Sequence, residues 1–363
     1  MNYHPDQTNS RRDRSAIAIS RPNGSTLRRI LAALVLLAVV AVTPTTAVDA
    51  SSPGRGSEVV VANRGSGDIS VIDNRTLEVM SVDLPGEAEP MYVNHDRRHD
   101  RVLVGDRASS SIVAFDDDSY EVVGSVDVGD GVFHQWLENA RRQLWVVGNT
   151  SNTVTVVDTR NLAVLTTIDI PAELVEAGGE PHDVFVNRNH AFVTVLGVGE
   201  EGSQEGVVLQ YSTRTFAETG RVNVGDDPHV FVRGGTLYVA SQDTSTIASF
   251  RTRDLHPLAS AEVASAHGLF VTTRSEVLVT TIAGGGVDAV SELNGRLTEL
   301  RDTVDTDFPV PHNITVDNRR QMFVTHSGGS ADKVSVIRLV RDGFGEPETV
   351  TVGLNPFGLA FVR

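Results

Sequence analysis

The chain has 363 residues, a formal net charge of -16 and no cysteine. So acidic a surface repels nucleic acid and anionic lipid, and the absence of thiols excludes disulfides, thiolate metal sites and a lipid-attachment cysteine. Imidazole, carboxylate, amide and backbone groups are left as the metal donors. The length would allow two average domains, but one repeat type fills nearly all of it, and a single domain is expected.

Residues 1–27 are polar and basic, and Arg28-Arg29 precedes the apolar run Ile30 to Val42. That run is shorter than the ~20 residues a membrane-spanning helix needs. With Val48-Asp-Ala50 beyond it, residues 1–50 read as a secretory signal cut after Ala50, an uncleaved anchor being the alternative. Paired arginines also open twin-arginine signals, but the rest of that motif is missing, so the general secretory route is preferred. The expected location is periplasmic or secreted, free of the membrane after cleavage. Residues 51–57 form a Ser/Gly/Pro linker.

From residue 58 onward a unit repeats. Its opening turns are Glu89-Pro-Met91, Val132-Phe-His134, Glu180-Pro-His182, Asp227-Pro-His229, Ser265-Ala-His267, Val310-Pro-His312 and Asn355-Pro-Phe357. Each precedes a short apolar run, then a second such as Leu237-Tyr-Val-Ala-Ser241, a third such as Thr153-Val-Thr-Val-Val-Asp158, and a fourth such as Val164-Leu-Thr-Thr-Ile168. Four short strands at a period of about 40 to 45 residues predict an all-β, seven-bladed β-propeller over 58–363. Glu58-Val-Val-Val-Ala-Asn63 matches a second strand and Pro356 to Arg363 a first strand, so the two ends should pair to complete one blade.

These pieces carry a resemblance. Val60-Val-Ala-Asn63, Ile69-Ser-Val-Ile-Asp73, Val154-Thr-Val-Val-Asp158 and Leu237-Tyr-Val-Ala240 are similar to the repeats of the YVTN-type seven-bladed propeller family, over residues 58–363. That family's fold hosts lactonases, lyases, metal oxidoreductases and binding platforms, so function must come from the site.

In a propeller the first strands line the central channel. The resulting ring is Phe357, Met91, His134, His182, His229, His267 and His312, with His326 expected beside it at the end of a second strand. Five of the 11 histidines in seven equivalent slots is not a chance distribution. A Pro-His turn inherited by duplication is the plainer alternative, although Met91 and Phe357 show that the slot folds without histidine.

Unperturbed imidazole titrates near pH ~6.5, and like charges about 4 Å apart repel by roughly 4 kcal/mol at an effective dielectric of 20. Crowded imidazoles should therefore stay neutral, the ligand form. His134, His182, His229, His267, His312 and His326 are the candidate ligands of a transition metal, copper favoured over zinc or iron. The blade-wise arrangement resembles the propeller domain of nitrous oxide reductase, whose hub histidines hold a copper cluster. The chain lacks that enzyme's cupredoxin domain and any cysteine, which argues against nitrous oxide reduction. Carotenoid-cleaving oxygenases, propellers with an axial four-histidine iron, are a second likeness without their insertions.

Asp106, Asn149, Asp183 and Asn313 are expected as further polar contacts, and the acidic loops Ala172–Glu180 and Gly197–Gly206 as overhanging lids. His95, His99, His190 and His256 read as surface residues. Asp73, Asp116 and Asp158 read as turn caps, and the glycines at 284–286 as a turn. The expected function is an exported metalloprotein, an oxidoreductase acting on a small molecule if it is an enzyme. The alternatives are a non-catalytic platform for a protein or small ligand, and a lactonase or lyase. A single closed ring is expected to be a monomer.

Overall fold

A computed structural model describes residues 56–362 apart from 203, 283–287 and 342. The expected signal segment, its cleavage site and the glycines at 284–286 lie outside the described residues.

The described strands form seven antiparallel blades. Blade 1 is the closing blade: Pro356–Val362, Glu58–Asn63, Asp68–Asp73 and Val79–Asp83. The C-terminal strand pairs antiparallel with the first of these from the other end, Glu58 opposite Val362, so the two ends of the chain share one sheet. Blades 2 to 6 run sequentially, and their first strands are Pro90–Asp96, Val132–Glu138, Glu180–Val186, Pro228–Arg233 and Ala266–Val271. Blade 7 opens with Pro311–Val316 and takes Glu348–Thr351 as its outer strand, after a small hairpin at Gly343–Phe344.

The second and third strands read as continuous apolar runs because both faces of each blade are covered by its neighbours. Trp145, Phe115, Phe192 and Phe323 are fully buried between blades. The fourth strands face solvent on one side and alternate, as in Val122–Asp127. Asp73, Asp116 and Asp158 cap the outer turns as expected, accepting hydrogen bonds from backbone N–H groups two or three residues on. Arg320 of blade 7 holds Glu276 of blade 6 through two 2.9 Å hydrogen bonds.

Candidate metal centre

The hub is built by a repeated irregularity. In blade 2, Pro90 pairs with Asp106 and the next pair is Val93 with Val104, so two residues stand where the partner strand has one. The same bulge recurs at Phe133-His134, His182-Asp183, His267-Gly268, His312-Asn313 and Phe357-Gly358. A bulge breaks the alternation of a strand and re-aims its side chains, so each of these first strands offers two positions to the axis. Blade 5 is regular, with His229 opposite Ala240.

Two of the bulges are held by close approach. A Cβ on Gly268 would lie 1.8 Å from the His312 carbonyl oxygen, and one on Gly358 would lie 2.5 Å from that of Met91. Only glycine lets neighbouring blades come this near.

The bulges correct the sequence register. His134 occupies the second position of its bulge, level with Tyr92, Asp183 and Asn313, whereas His182, His267 and His312 take the first, with Met91, Phe133 and Phe357. The misreading arose because Phe133 stands where other blades have their ring residue. Asn149, for the same reason, lies just beyond the strand Gln143–Gly148, and its side chain accepts a hydrogen bond from Arg107 rather than reaching the hub. Asp106 binds the backbone N–H of Glu89, a structural role.

Around the axis the imidazoles form an arc. Ring centroids are 5.6 Å apart for His134 and His182, 4.8 Å for His182 and His229, 3.8 Å for His229 and His267, and 4.5 Å for His267 and His312. Phe357 continues the arc at 4.2 Å from His312. Tyr92, which the sequence reading left out, lies 3.7 Å from the His134 ring.

His326 is not part of this arc. Its ring nitrogens lie 3.0 Å from the Pro309 carbonyl and 2.8 Å from Ser335 Oγ, so both are engaged within blade 7. Sharing a blade with His312 suggested proximity, but the second-strand side chain turns into the sheet stack.

Asp183 organises the arc from within. One carboxylate oxygen lies 2.7 Å from His134 Nδ1, and the other accepts the Val230 N–H at 2.9 Å. Burial would raise its pKa, but His134 first, then His229 and these hydrogen bonds, hold it well below the carboxylate range. An ionised Asp183 fixes the proton of His134 on Nδ1 and leaves the lone pair on Nε2, as in carboxylate–histidine–metal arrangements.

A second carboxylate, also missed, comes from the turn. Asp227 has a left-handed backbone (φ 50°) just ahead of His229, and its Oδ1 lies 3.4 Å from His182 Nε2 and 3.6 Å from His229 Nε2. Burial raises its pKa, and the opposing pull of His229 and then His182 brings it down to about 2.

The nitrogens His134 Nε2, His182 Nε2, His229 Nε2 and both ring nitrogens of His267 are buried without a hydrogen-bond partner, as is Asp227 Oδ1. Unpaired buried polar atoms are costly, and with one donor atom from each residue they form a candidate donor set of four imidazoles and one carboxylate. Ligand atoms of His134, His182 and His229 lie within 4.8 Å of one another, as do those of Asp227, His229 and His267. Two donors about 2.1 Å from one tetrahedral ion stand roughly 3.4 Å apart. The Asp227 to His182 and His229 separations match that spacing and are long for hydrogen bonds.

Burial favours the neutral form, which is the ligand form, at His134, His182, His267 and His312. Burial, then His229 and His134, push His182 down to about 3. Burial likewise holds His134 below the ordinary imidazole value, against the pull of Asp183, and His267 and His312 lie well below it through burial and their imidazole neighbours. His312 Nδ1 is 2.5 Å from Asn313 Nδ2, which also donates to Tyr92 Oη and the Phe357 carbonyl at 3.2 Å. His312 is thereby tied to this clasp.

The two expected lids lie in blade 4. The first forms a single helical turn, Ala172–Glu176. It is joined to the second by Gly199 N–H donating to the Ala177 carbonyl at 3.0 Å. Gly197 N–H donates at 2.7 Å to Asp226, the neighbour of Asp227. Among the histidines read as surface residues, His95 is instead enclosed, its side chain 5% exposed and 2.7 Å from Asp117; His99 pairs with Asp96 at 2.7 Å.

No family model and no curated protein matches the chain. Solved structures do. The periplasmic gluconolactonase of Pseudomonas aeruginosa superposes with a TM-score of 0.68 at 16% identity, over 85% of this chain and 99% of that one. Hydrazine synthase of Kuenenia stuttgartiensis gives 0.61 at 14%, over 80% and 98%. A protein of unknown function from Desulfotomaculum acetoxidans gives 0.68 at 12%, over 85% and 99%. Likeness at such identities establishes the architecture, and the chain is a seven-bladed β-propeller whose hub histidines could hold a metal ion.

Proposed function

We propose that the protein is an exported metalloprotein of the YVTN propeller type, holding one transition-metal ion at its hub for redox chemistry on a small molecule. His134, His182, His229 and Asp227 are the proposed ligands, with His267 at the edge of the set. Three imidazoles and a carboxylate suit copper, zinc, iron and nickel and disfavour calcium and magnesium. Copper(II) is preferred, being the tightest divalent binder of such donors.

The observation that carries this reading is the convergence of buried, unpartnered donor atoms at metal-ligand spacing. A solvated scaffold would have no reason to keep them unsatisfied. The acidic connections on the same side, among them Glu173, Glu180, Asp226 and Asp227, favour approach of a cation.

The test is metal content by mass spectrometry on natively exported protein and on a His134→Ala/His182→Ala/His229→Ala variant. Stoichiometric metal lost in the folded variant supports the site. Native protein that is folded, metal-free and indifferent to added copper or zinc overturns it and leaves a binding platform.

A further inference from the structure

The hub does not fill the axis. Beyond the histidine arc a cavity of about 700 Å³ is lined by the first strands. Its inner end is His134, Asp183 and His229, its walls include Trp136, Phe231, Phe270 and Phe361, and its rim includes Arg97 and Arg98. The wall rings pack edge-on or tilted against one another: Trp136 and Phe231 are 5.8 Å apart at 79°, and Phe231 and Phe270 are 5.1 Å apart at 52°.

The rim lies at the opposite end of the first strands from the histidine arc, and its charge is opposite to that of the chain. Arginine stands in the turn from first to second strand at Arg97, Arg141, Arg188, Arg274 and Arg319, and in blade 5 at the end of the first strand, Arg233. Arg141 and Arg233 donate to the carbonyl oxygens of Arg188 and Val271, which orients the guanidinium without neutralising it. Arg97 and Arg98 are exposed at the opening. At the inner end stands Asp183, whose carboxylate oxygens are taken up by His134 Nδ1 at 2.7 Å and the Val230 N–H at 2.9 Å.

We propose that this cavity binds a small, flat, apolar molecule bearing one anionic group, admitted from the arginine side. Its ring system lies against Trp136, Phe231 and Phe270. Its anionic group stays at Arg97 and Arg98, the guanidinium groups that line the opening. A neutral hydrogen-bonding tip meets the hub. The volume falls in the range of small-molecule sites, and arginine suits an anion at a half-wet rim. As the molecule's tip reaches the hub donors, the inference names the ligand class of the proposed metal site, but binding itself needs no ion.

The test uses a matched pair of probes, 1-anilinonaphthalene-8-sulfonate and its uncharged counterpart N-phenyl-1-naphthylamine, on chelator-treated and on copper-loaded protein. The sulfonate should bind one to one and quench tryptophan emission, and in Trp136→Phe binding should remain while the quench falls to that of the neighbouring Trp145. Arg97→Gln/Arg98→Gln should weaken the sulfonate about fivefold and leave the neutral probe unchanged, and raised salt should act likewise. Leu359→Trp, which fills the cavity, should abolish both. Sulfonate binding that survives in Leu359→Trp, or a sulfonate no more sensitive to the arginine pair than the neutral probe, overturns the proposal. Binding with no copper uptake removes only the metal reading, and copper uptake with no binding removes only this one.

Discussion

His134 Nδ1 lies 2.7 Å from a carboxylate oxygen of Asp183, whose other oxygen holds the backbone of the next blade at Val230. One side chain thus sets the tautomer of a histidine and the spacing of three successive blades. Asp183→Asn keeps the shape and removes the charge, so the folded variant should lose metal affinity by about 10- to 100-fold. Competition against a chromophoric chelator reads the change. An unaltered affinity would remove His134 from the ligand set.

The donor geometry separates hub histidines that face the candidate metal site from those that do not. Asp227→Ala should abolish stoichiometric metal, because Asp227 Oδ1 stands at ligand spacing from two imidazoles. His312→Ala and His326→Ala should retain it, since the first is clasped by Asn313 and the second by Pro309 and Ser335. Metal analysis of the three purified variants decides this, and loss of metal from His326→Ala would contradict the assignment.

Stability should depend on pH with a definite sign. His182 titrates at about 3 in the folded chain, and His267, His312 and His326 also lie below the ordinary value. Between those values and about 6.5 the unfolded chain binds more protons than the folded one, so stability is full above this window and falls as pH drops through it. Each group contributes at most about 1.4 kcal/mol per pH unit. The urea midpoint of chelator-treated protein should fall clearly from pH 7 to pH 5. A midpoint that does not move would mean that the folded chain takes up protons over this range as readily as the unfolded one.

Gly268→Ala should be among the most damaging single-methyl changes in the chain. The added carbon would meet the His312 carbonyl at 1.8 Å, forcing blades 6 and 7 apart at a cost of about 3 kcal/mol or more. Thermal unfolding reads the loss. An alanine variant as stable as the parent would show that the two first strands have slack to separate.

Blade number, strand order and end-to-end pairing were legible because alternation, turn residues and repeat spacing are local signals. So was the inward direction of His182, His229, His267 and His312, each following a turn and a proline or alanine. The register of His134 was not, because a bulge adds a residue without leaving a distinctive residue type behind. Asp227 escaped notice because its reach depends on a left-handed backbone, a property of the folded turn. His326 was read towards the hub on its place in the strand, and only the packing of blade 7 shows its nitrogens already engaged. Tyr92 gave no sequence signal of its own.

The seam of blade 1 also has a consequence in time. Glu58 faces Val362 across the sheet, so the first strand made must wait for the last before the circle can shut. Phe357 and Gly358, which flank the histidine arc and the clasp on His312, lie on that closing strand. Until then the arc has an open side through which water reaches its nitrogens. An ion arriving before that strand pairs would meet a half-built candidate site.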